Sequence, residues 1–363
     1  MKVLAATKYY KHTPSLAVVY LPLLMLLLPH LGNAQFGGFF NYKFISLPNS
    51  ARVSALGGNL ITVMDDDINL AYANPSLLNP QMHQQIGFSH SFHMADINHG
   101  YVAMGLHNEK LATTFYGGIH YMGYGELQLT NEFFQNLGTF KANEVALSLG
   151  AGRMVDERLS LGANVKFINS RLEAYSSSAL AADIAATYSD TASNFTAALV
   201  IKNAGFVLSS YTELEGSSEE LPFEIQLGIS KKLRYLPFRF SIIMTNLQQW
   251  DLRYDDPNQV DDPGFFGDGD TNNESPFIDN LFRHFVFNGE FLIGQRENFR
   301  MRVGYNNFLR QDLNVDEFSS LAGFSFGFGI KVSRFRLDYG RMTYHIAGGT
   351  NHLSISTNLQ EFK

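Results

Sequence analysis

Apolar and polar side chains alternate one by one along much of the chain after residue 84. In the stretch 323–332, Phe324, Phe326 and Phe328 fall on one face, with serine and glycine between them. A strand places successive side chains on opposite faces, whereas a helix would scatter this set round its axis. The same alternation recurs in 145–152, 223–230, 238–244 and 299–305. The pattern therefore predicts a chain rich in β-strands.

Fourteen such segments follow one another, and most have the roughly ten-residue length that a tilted strand needs to cross a bilayer. They are 84–93, 98–107, 111–123, 142–153, 157–170, 179–189, 194–204, 222–233, 236–248, 283–294, 298–308, 320–332, 334–346 and 350–359. Connections after even-numbered segments are short. The longer connections follow odd-numbered segments and are 124–141, 171–178, 205–221, 249–282 and 309–319. This asymmetry is typical of outer-membrane barrels, and the even strand number predicts that both termini are periplasmic.

The two faces of the segments differ in chemistry. One is dominated by Phe, Ile, Leu and Val, and the other by Gly, Ser, Asn, Arg and Glu. In lipid, only a helix or a closed barrel satisfies every backbone N–H and C=O group. We therefore predict an all-β fold, a 14-stranded antiparallel transmembrane β-barrel over residues 84–363. The alternative is a soluble sandwich whose core holds the apolar stripes.

The amino-acid composition further limits the possible classes of function. Charged residues make up only 17% of the 363 residues, while aromatics reach 13%, which suits a surface that faces lipid. A formal net charge of -7 argues against a nucleic-acid partner. The chain has no cysteine, so disulfides and thiolate metal sites are excluded.

Two segments precede the predicted barrel. Residues 1–34 have the basic start, apolar centre and small-residue end of a cleaved signal peptide, with Lys2 and Lys8 at its start and Ala34 at its end. Fourteen strands enclose more space than their own side chains can fill. Residues 35–83 are therefore predicted to fold inward as a plug.

The plug segment also carries a family resemblance. It contains Phe40-Asn-Tyr-Lys-Phe44, Leu47-Pro-Asn-Ser-Ala-Arg52, Gly57-Gly58, Asp65-Asp66-Asp67 and Asn74-Pro75. This order resembles the PorV/PorQ family of the Bacteroidetes type IX secretion system, and its PorQ branch in particular. More distantly it is similar to the FadL-type fatty-acid transporters, which share a Gly…Asp-Asp…Asn-Pro segment and fourteen strands.

The resemblance implies a non-enzymatic subunit in the outer membrane of a Gram-negative bacterium. By analogy it would anchor a PorZ-like surface protein of the attachment complex, in contact with PorU- or PorV-like proteins. The FadL resemblance alone implies instead a transporter of hydrophobic small molecules. Fold-level analogy proves neither role.

Three sets of residues are candidate functional sites. The plug motif comprises Asp65, Asp66, Asp67, Asn74 and Pro75, which we expect to cap local turns, with a ligand or metal role as the alternative. Inward-facing charges on neighbouring strands are Glu290, Arg300, Arg302, Lys331, Arg334, Arg336 and Asp338; we expect a structural ion-pair network, with a transport pathway as the alternative. The third set lies in loop 249–282, which is acidic and aromatic and is expected to dock another protein, so it is called the partner loop. Its candidate residues are Trp250, Asp255, Asp256, Asp261, Asp262, Phe265, Phe266, Asp268 and Asp270.

Signals for metals, cofactors and catalysis are poor. Asp268-Gly-Asp270-Thr-Asn272 resembles half of a calcium loop, but Asn273 stands where the sharp turn needs glycine. Gly323-Phe-Ser325-Phe-Gly327 lies in mid-strand rather than at a strand-to-helix elbow. His83, His90, His93 and His99 form the densest group of histidines but lack ligand spacing. We therefore expect no cofactor, no metal and no enzymatic activity.

Overall fold

The computed structural model describes residues 41–93, 96–211, 219–253, 276–294, 297–313, 321–345 and 348–362. The predicted signal peptide 1–34 and residues 35–40 lie outside this part of the chain. So do eight residues of the predicted partner loop, Asp255, Asp256, Asp261, Asp262, Phe265, Phe266, Asp268 and Asp270.

The predicted barrel is confirmed as a closed ring of fourteen antiparallel strands. The strands are β1 Gln85–Phe92, β2 Asn98–Asn108, β3 Thr113–Thr130, β4 Asn136–Met154, β5 Leu159–Leu172, β6 Tyr175–Asp190, β7 Phe195–Ser209, β8 Glu224–Lys232, β9 Phe238–Met244, β10 Phe285–Ile293, β11 Phe299–Asn306, β12 Phe324–Val332, β13 Phe335–His345 and β14 Gly348–Asn358. Each pairs with its sequence neighbours. The ring closes where β1 pairs with β14, from Gln85 opposite Asn358 to Phe92 opposite Asn351.

The outer surface of the ring is apolar, as the alternation predicts. On β12, Phe324, Phe326 and Phe328 are exposed, whereas Ser325 between them is buried. Exposed Phe, Leu, Ile and Val side chains recur on the strands all round the barrel. Apolar side chains on this face suit a lipid surround, because exposing them to water is unfavourable. Among the described residues, no helix has both the length and the apolar character to cross a membrane.

Two predicted loops are instead continuations of strands. Residues 124–141 mostly belong to β3 and β4, which are joined by 131–135, and β5 and β6 meet at 173–174 rather than across 171–178. Glycines at 123, 125 and 138 resemble a loop signal, but the ladder continues from Glu126 opposite Lys141 to Thr130 opposite Asn136. The long connections that remain follow β7, β9 and β11. This side of the barrel is called the long-loop end, and the opposite side the short-turn end.

Residues 41–84 lie inside the ring and are called the plug. Their regular elements are short: helices α1 Ala51–Ala55 and α2 Leu70–Ala73, and 3₁₀ turns Lys43–Ser46, Pro75–Leu77 and Pro80–Met82. Side chains cap the starts of these elements; the Ser50 hydroxyl accepts from the Val53 N–H, and Asn74 does the same for Ser76. The plug has its own apolar core, formed by Val53, Leu56, Leu60, Val63, Leu70 and Leu77.

Further plug residues pack on the wall in different directions. Phe44 and Ile45 pack on alanines of β4 and β6. Tyr72 packs on Tyr101 and Tyr116, on β2 and β3. The plug therefore fills the lumen from one wall to another.

Wall glycines let the plug backbone approach closely. A Cβ at Gly162 would lie 2.3 Å from the Pro75 carbonyl carbon, and one at Gly340 would lie 2.1 Å from the Ala51 oxygen. The plug backbone comes equally close at Gly105, Gly152 and Gly304, whereas plug side chains pack against Gly87, Gly228 and Gly327. The glycine-rich inner face therefore provides the space in which the plug sits.

A methyl group at one of these positions should disturb the plug. We expect Gly162→Ala to destabilise the folded plug by about 1–3 kcal/mol, because backbone atoms of Pro75 would have to move. The destabilisation can be measured by amide hydrogen exchange, which should become faster in residues 70–82. Gly123→Ala is the matched control, since a Cβ there meets nothing within 4 Å. Equal exchange in the two variants would contradict the close-approach argument.

Candidate functional site

A cavity of about 340 Å³ opens at the long-loop end, between the plug and the wall; it is called the mouth cavity. From the plug it is lined by Lys43, Ser46, Leu47, Pro48, Gly57, Gly58 and Asn59. From the wall and its loops it is lined by Pro222, Phe223, Glu224, Thr245, Asn246, Gln248, Asn306, Phe308, Leu309, Met342 and Tyr344. Most of these lining residues are apolar or carry uncharged polar groups.

The size and lining suit a small apolar molecule. An apolar cavity of about 150 Å³ is enough for benzene, so 340 Å³ accommodates a molecule about twice that size. Leu47, Phe223, Phe308 and Leu309 supply apolar contacts, while Lys43 carries the cavity's positive charge. A mostly apolar pocket with few polar groups is typical of small-molecule sites.

A buried ion-pair network joins the plug to the wall. Its centre is Arg52 of α1, whose side chain is 1% exposed. Arg52 Nε lies 3.0 Å from Glu290 Oε1 of β10, and Nη1 lies 2.8 Å from Asp65 Oδ2 and 3.2 Å from Asp67 Oδ2. Because a buried charge is costly without partners, these contacts fix the orientation of α1.

The network extends along the wall. Glu290 also pairs with Arg239 of β9 at 2.9 Å and with Arg302 of β11 at 3.1 Å. Arg302 reaches Asp338 of β13 at 2.6 Å. A second link joins Arg336 of β13 to Asp66 of the plug at 2.8 Å. Plug and wall charges therefore compensate one another across four strands.

Most of the predicted inward-facing charges lie in or beside this network. Glu290, Arg302, Arg336 and Asp338 are buried members. Arg300 is also largely buried; its Nε donates to the Glu297 carbonyl at 3.3 Å, and its Nη1 has no hydrogen-bond partner among the described residues.

Lys331 and Arg334 lie outside the network, which differs from the sequence-based expectation. Lys331 Nζ is 3.6 Å from Glu361 near the C-terminus. Arg334 is exposed and lies over the Phe362 ring, 4.9 Å from its centroid. The reason is that β13 begins at Phe335, so Arg334 belongs to the turn that precedes it.

Sequence reasoning did not assign Arg52 or Arg239 to the network. Alternation places Arg239 on the inner face, but only the register, which pairs it with Glu290, shows its partner. Arg52 stands in the plug, where no periodic pattern indicates direction. The Ala51-Arg52 sequence alone does not show which part of the wall Arg52 meets.

The plug motif combines turn formation with ion pairing. Asp65 Oδ1 accepts from the Asp67 N–H at 3.1 Å, and Asp67 Oδ1 accepts from the Asn69 N–H at 3.2 Å. Asn74 donates to the Ile61 carbonyl and to Thr187 on β6, and Pro75 begins the 3₁₀ turn. The outer oxygens of Asp65 and Asp67 face Arg52.

The Asp65 carboxylate of the plug stays ionised at mildly acidic pH. Burial opposes the ionised form of Asp65, but Arg52 and Arg300 outweigh burial and hold the pKa of Asp65 below its usual range. The stability that this carboxylate contributes is therefore present above its ordinary pKa of about 4, and is lost only as the pH falls below that value.

The described part of the predicted partner loop is partly ordered by aromatic packing. Trp250 is half exposed; its ring lies 5.2 Å from Phe277 of helix α3, Pro276–Arg283, and stacks on His284 at 5.5 Å. In the part of the chain that the structure describes, no three His, Asp or Glu side chains are grouped so that they could hold a metal ion.

The fold is shared with solved transporter structures. The Pseudomonas putida toluene transporter TodX has a TM-score of 0.51 at 10% identity, covering 88% of this chain and 98% of its own. The CymD monoaromatic hydrocarbon channel has a TM-score of 0.51 at 12% identity, covering 88% and 99%. A Pseudomonas aeruginosa FadL homologue has a TM-score of 0.51 at 10% identity, covering 89% and 100%.

The chain has the FadL-type barrel fold. At 10–12% identity these likenesses establish the fold and not the activity. No protein-family model and no curated protein sequence matches the chain. Membership in the PorV/PorQ family therefore stays a prediction from sequence.

The ion-pair network should contribute strongly to stability. We expect Glu290→Gln to destabilise the protein by about 3–5 kcal/mol, because Arg52, Arg239 and Arg302 all lose a buried carboxylate. Urea unfolding followed by the mobility of unheated protein in gels measures the loss. Glu126→Gln is the control, since its pair with Lys141 at 3.7 Å is exposed and should contribute less than about 1 kcal/mol. A Glu290→Gln effect as small as the control's would show that the network is dispensable.

Proposed function

We propose that the protein is an outer-membrane barrel that takes up small hydrophobic molecules, without catalysis or a cofactor. The observation that carries this proposal is the apolar mouth cavity beside the plug. The names of two fold neighbours, a toluene transporter and a monoaromatic hydrocarbon channel, support the same class of substrate. In the membrane orientation that we propose, the long-loop end faces the outside of the cell and the short-turn end faces the periplasm.

Passage beyond the mouth cavity requires movement of the plug. At Gly162 and Gly340 the plug backbone is in contact with the wall, so no molecule fits between them. The 3₁₀ turn Pro75–Leu77 is also fixed to β6, where Ser76 Oγ and Thr187 Oγ1 lie 2.7 Å apart. Transport through this barrel therefore requires these contacts between plug and wall to break.

A disulfide between plug and wall tests this requirement. The chain has no cysteine, so Ser76→Cys with Thr187→Cys introduces a single pair, whose sulfur atoms would take the places of hydroxyls 2.7 Å apart. We expect oxidation to reduce uptake of radiolabelled toluene by cells carrying the barrel at least tenfold, and reduction to restore it.

The barrel offers a control with the same geometry. Ser178 and Ser209 have hydroxyls 2.7 Å apart but join β6 to β7 within the wall. The pair Ser178→Cys with Ser209→Cys should leave uptake unchanged after oxidation. Undiminished uptake with a fully formed Ser76–Thr187 bridge would refute transport past a moving plug.

A second candidate function is the one implied by the PorV/PorQ resemblance, anchoring of a surface protein of the type IX attachment complex. It is favoured by a hairpin, residues 124–141, called the ribbon. The pairing of β2 with β3 ends at Gly123, and that of β4 with β5 ends at Ala142. Beyond these points both edges of the ribbon lack a ladder partner in the described chain, and such edges can pair with another protein.

The tip of the ribbon presents two aromatic side chains. Phe133 is 78% exposed and Phe134 is 91% exposed. Phe134 has a φ of 57°, which is uncommon for a bulky residue. Asn131 holds this conformation, because its Oδ1 accepts from the N–H groups of Phe133 at 3.0 Å and Gln135 at 2.9 Å. Rigid exposed aromatics are typical anchors of protein interfaces.

Substitution of the tip tests the anchoring role. We expect Phe133→Ser with Phe134→Ser to leave the barrel folded but to reduce co-purification of a PorZ-like surface protein at least tenfold. Tyr235→Ser is the control, because Tyr235 is equally exposed but lies at the short-turn end. Undiminished co-purification would remove the ribbon as the docking element.

A further inference from the structure

Four histidine rings meet in the part of the wall nearest the long-loop end. His93 follows β1, His99 lies on β2, His120 on β3 and His352 on β14. The ring centroids of His99 lie 5.4 Å from His93, 5.6 Å from His352 and 5.0 Å from His120. His99, His120 and His352 are buried. These four residues are called the histidine cluster.

The cluster supports plug residues 43–48. The His99 ring faces the Pro48 backbone. The Phe44 ring lies 5.6 Å from the His120 ring. Tyr72 OH donates to the Ile45 carbonyl at 2.8 Å and lies 3.2 Å from His120 Nδ1. The histidine cluster and Tyr72 therefore contact this segment at three residues, Phe44, Ile45 and Pro48.

The same plug segment forms one wall of the mouth cavity. Lys43, Ser46, Leu47 and Pro48 line the cavity, while Phe44, Ile45 and Pro48 contact the cluster side. Displacement of residues 43–48 would therefore change the mouth cavity directly.

The surroundings of the cluster favour neutral imidazoles. The groups that face it are His90, Ser91, Tyr101, Tyr121, Thr350 and, from the plug, Tyr72, with Lys166 of β5 acting on His120. In the described ranges no carboxylate lies within 4.0 Å of the four rings. Burial lowers the pKa of His93, which lies outside the strands. A proton added here meets apolar surroundings, other histidines and Lys166, whose own charge is paired with Asp183 at 2.7 Å, and no described carboxylate pairs with the rings themselves.

Resting on the proposed function, we propose that the histidine cluster is an acid-released latch on plug residues 43–48, which controls access to the mouth cavity. With neutral rings the segment is held beside the wall. When the segment is released, water reaches the histidines and they take up protons. Acid therefore favours the released state.

The size of the effect follows from proton linkage. Each histidine that is neutral when latched and protonated when released raises the opening equilibrium about tenfold per pH unit below its ordinary pKa of about 6.5. Between pH 6.5 and 5.5, the start of this range, the opening equilibrium should therefore rise about fivefold for one histidine and about 30-fold for two. The stabilisation by neutral rings is present above pH 6.5 and is lost as the pH falls.

Hydrogen exchange of the full-length protein in nanodiscs measures this opening. The probes are the amides of Ile45 and Leu47, which donate to the carbonyls of Tyr42 and Phe44. After correction for the intrinsic exchange rate, we expect their exchange to accelerate about 5- to 30-fold between pH 6.5 and 5.5, and to be nearly flat between 8.0 and 7.0. Asp65 remains ionised throughout this range, because its pKa is lowered, so its protonation does not explain the change.

Two double variants test whether the acceleration in acid comes from the histidine cluster. His99→Gln with His352→Gln should abolish the acceleration, since glutamine does not titrate. His83→Gln with His107→Gln should leave it intact, because these histidines lie at the short-turn end, where His83 Nδ1 accepts from the His107 N–H. Persistence of the full acceleration in the first variant would overturn the assignment.

Exchange of the wild-type protein across this pH range tests the latch proposal even if a variant fails to fold. Flat exchange of Ile45 and Leu47 from pH 7.5 to 5.5 overturns the latch, whatever the protein transports. Conversely, acceleration in acid together with undiminished toluene uptake by the disulfide-locked plug would retain the latch and reject the transport function. The two proposals therefore fail separately.

Discussion

A ring of fourteen strands leaves a space that its own side chains do not fill, and the organisation of the interior follows from this constraint. The plug occupies the space, and glycines on the inner face let its backbone come within contact of the strands. Where plug and wall do not meet, at the long-loop end, the mouth cavity remains. The glycine-rich interior and the cavity therefore both follow from the diameter of the ring.

The interior differs in chemistry from one side to another. On the side of β9, β10, β11 and β13, plug and wall are joined by buried ions around Arg52 and Glu290. On the side of β2 and β3 the contacts are aromatic rings and buried histidines. Buried ion pairs are costly to separate once formed, whereas the rings are held by packing and a few hydrogen bonds. The plug is thus fixed firmly on one side and more weakly on the other.

Strand number, closure and the inner and outer faces could be predicted from sequence, because alternation along a strand is a local property. The partners of inward-facing residues could not. Arg239 meets Glu290 only through the register of β9 and β10. The four clustered histidines are brought together from β14 and from the first three strands, which are far apart in sequence. The plug carries no period, so the contacts of Arg52 follow from its packing alone.

The seam between β1 and β14 joins the first and last strands of the chain. The plug precedes all fourteen strands in the sequence, and it also contacts the seam. Ser354 Oγ on β14 accepts from the Ala51 N–H at the start of α1, and Ser354 stands opposite Ser89 in the pairing of β1 with β14. The closing strands are therefore held together by their own ladder and are also hydrogen-bonded to the segment that fills the interior.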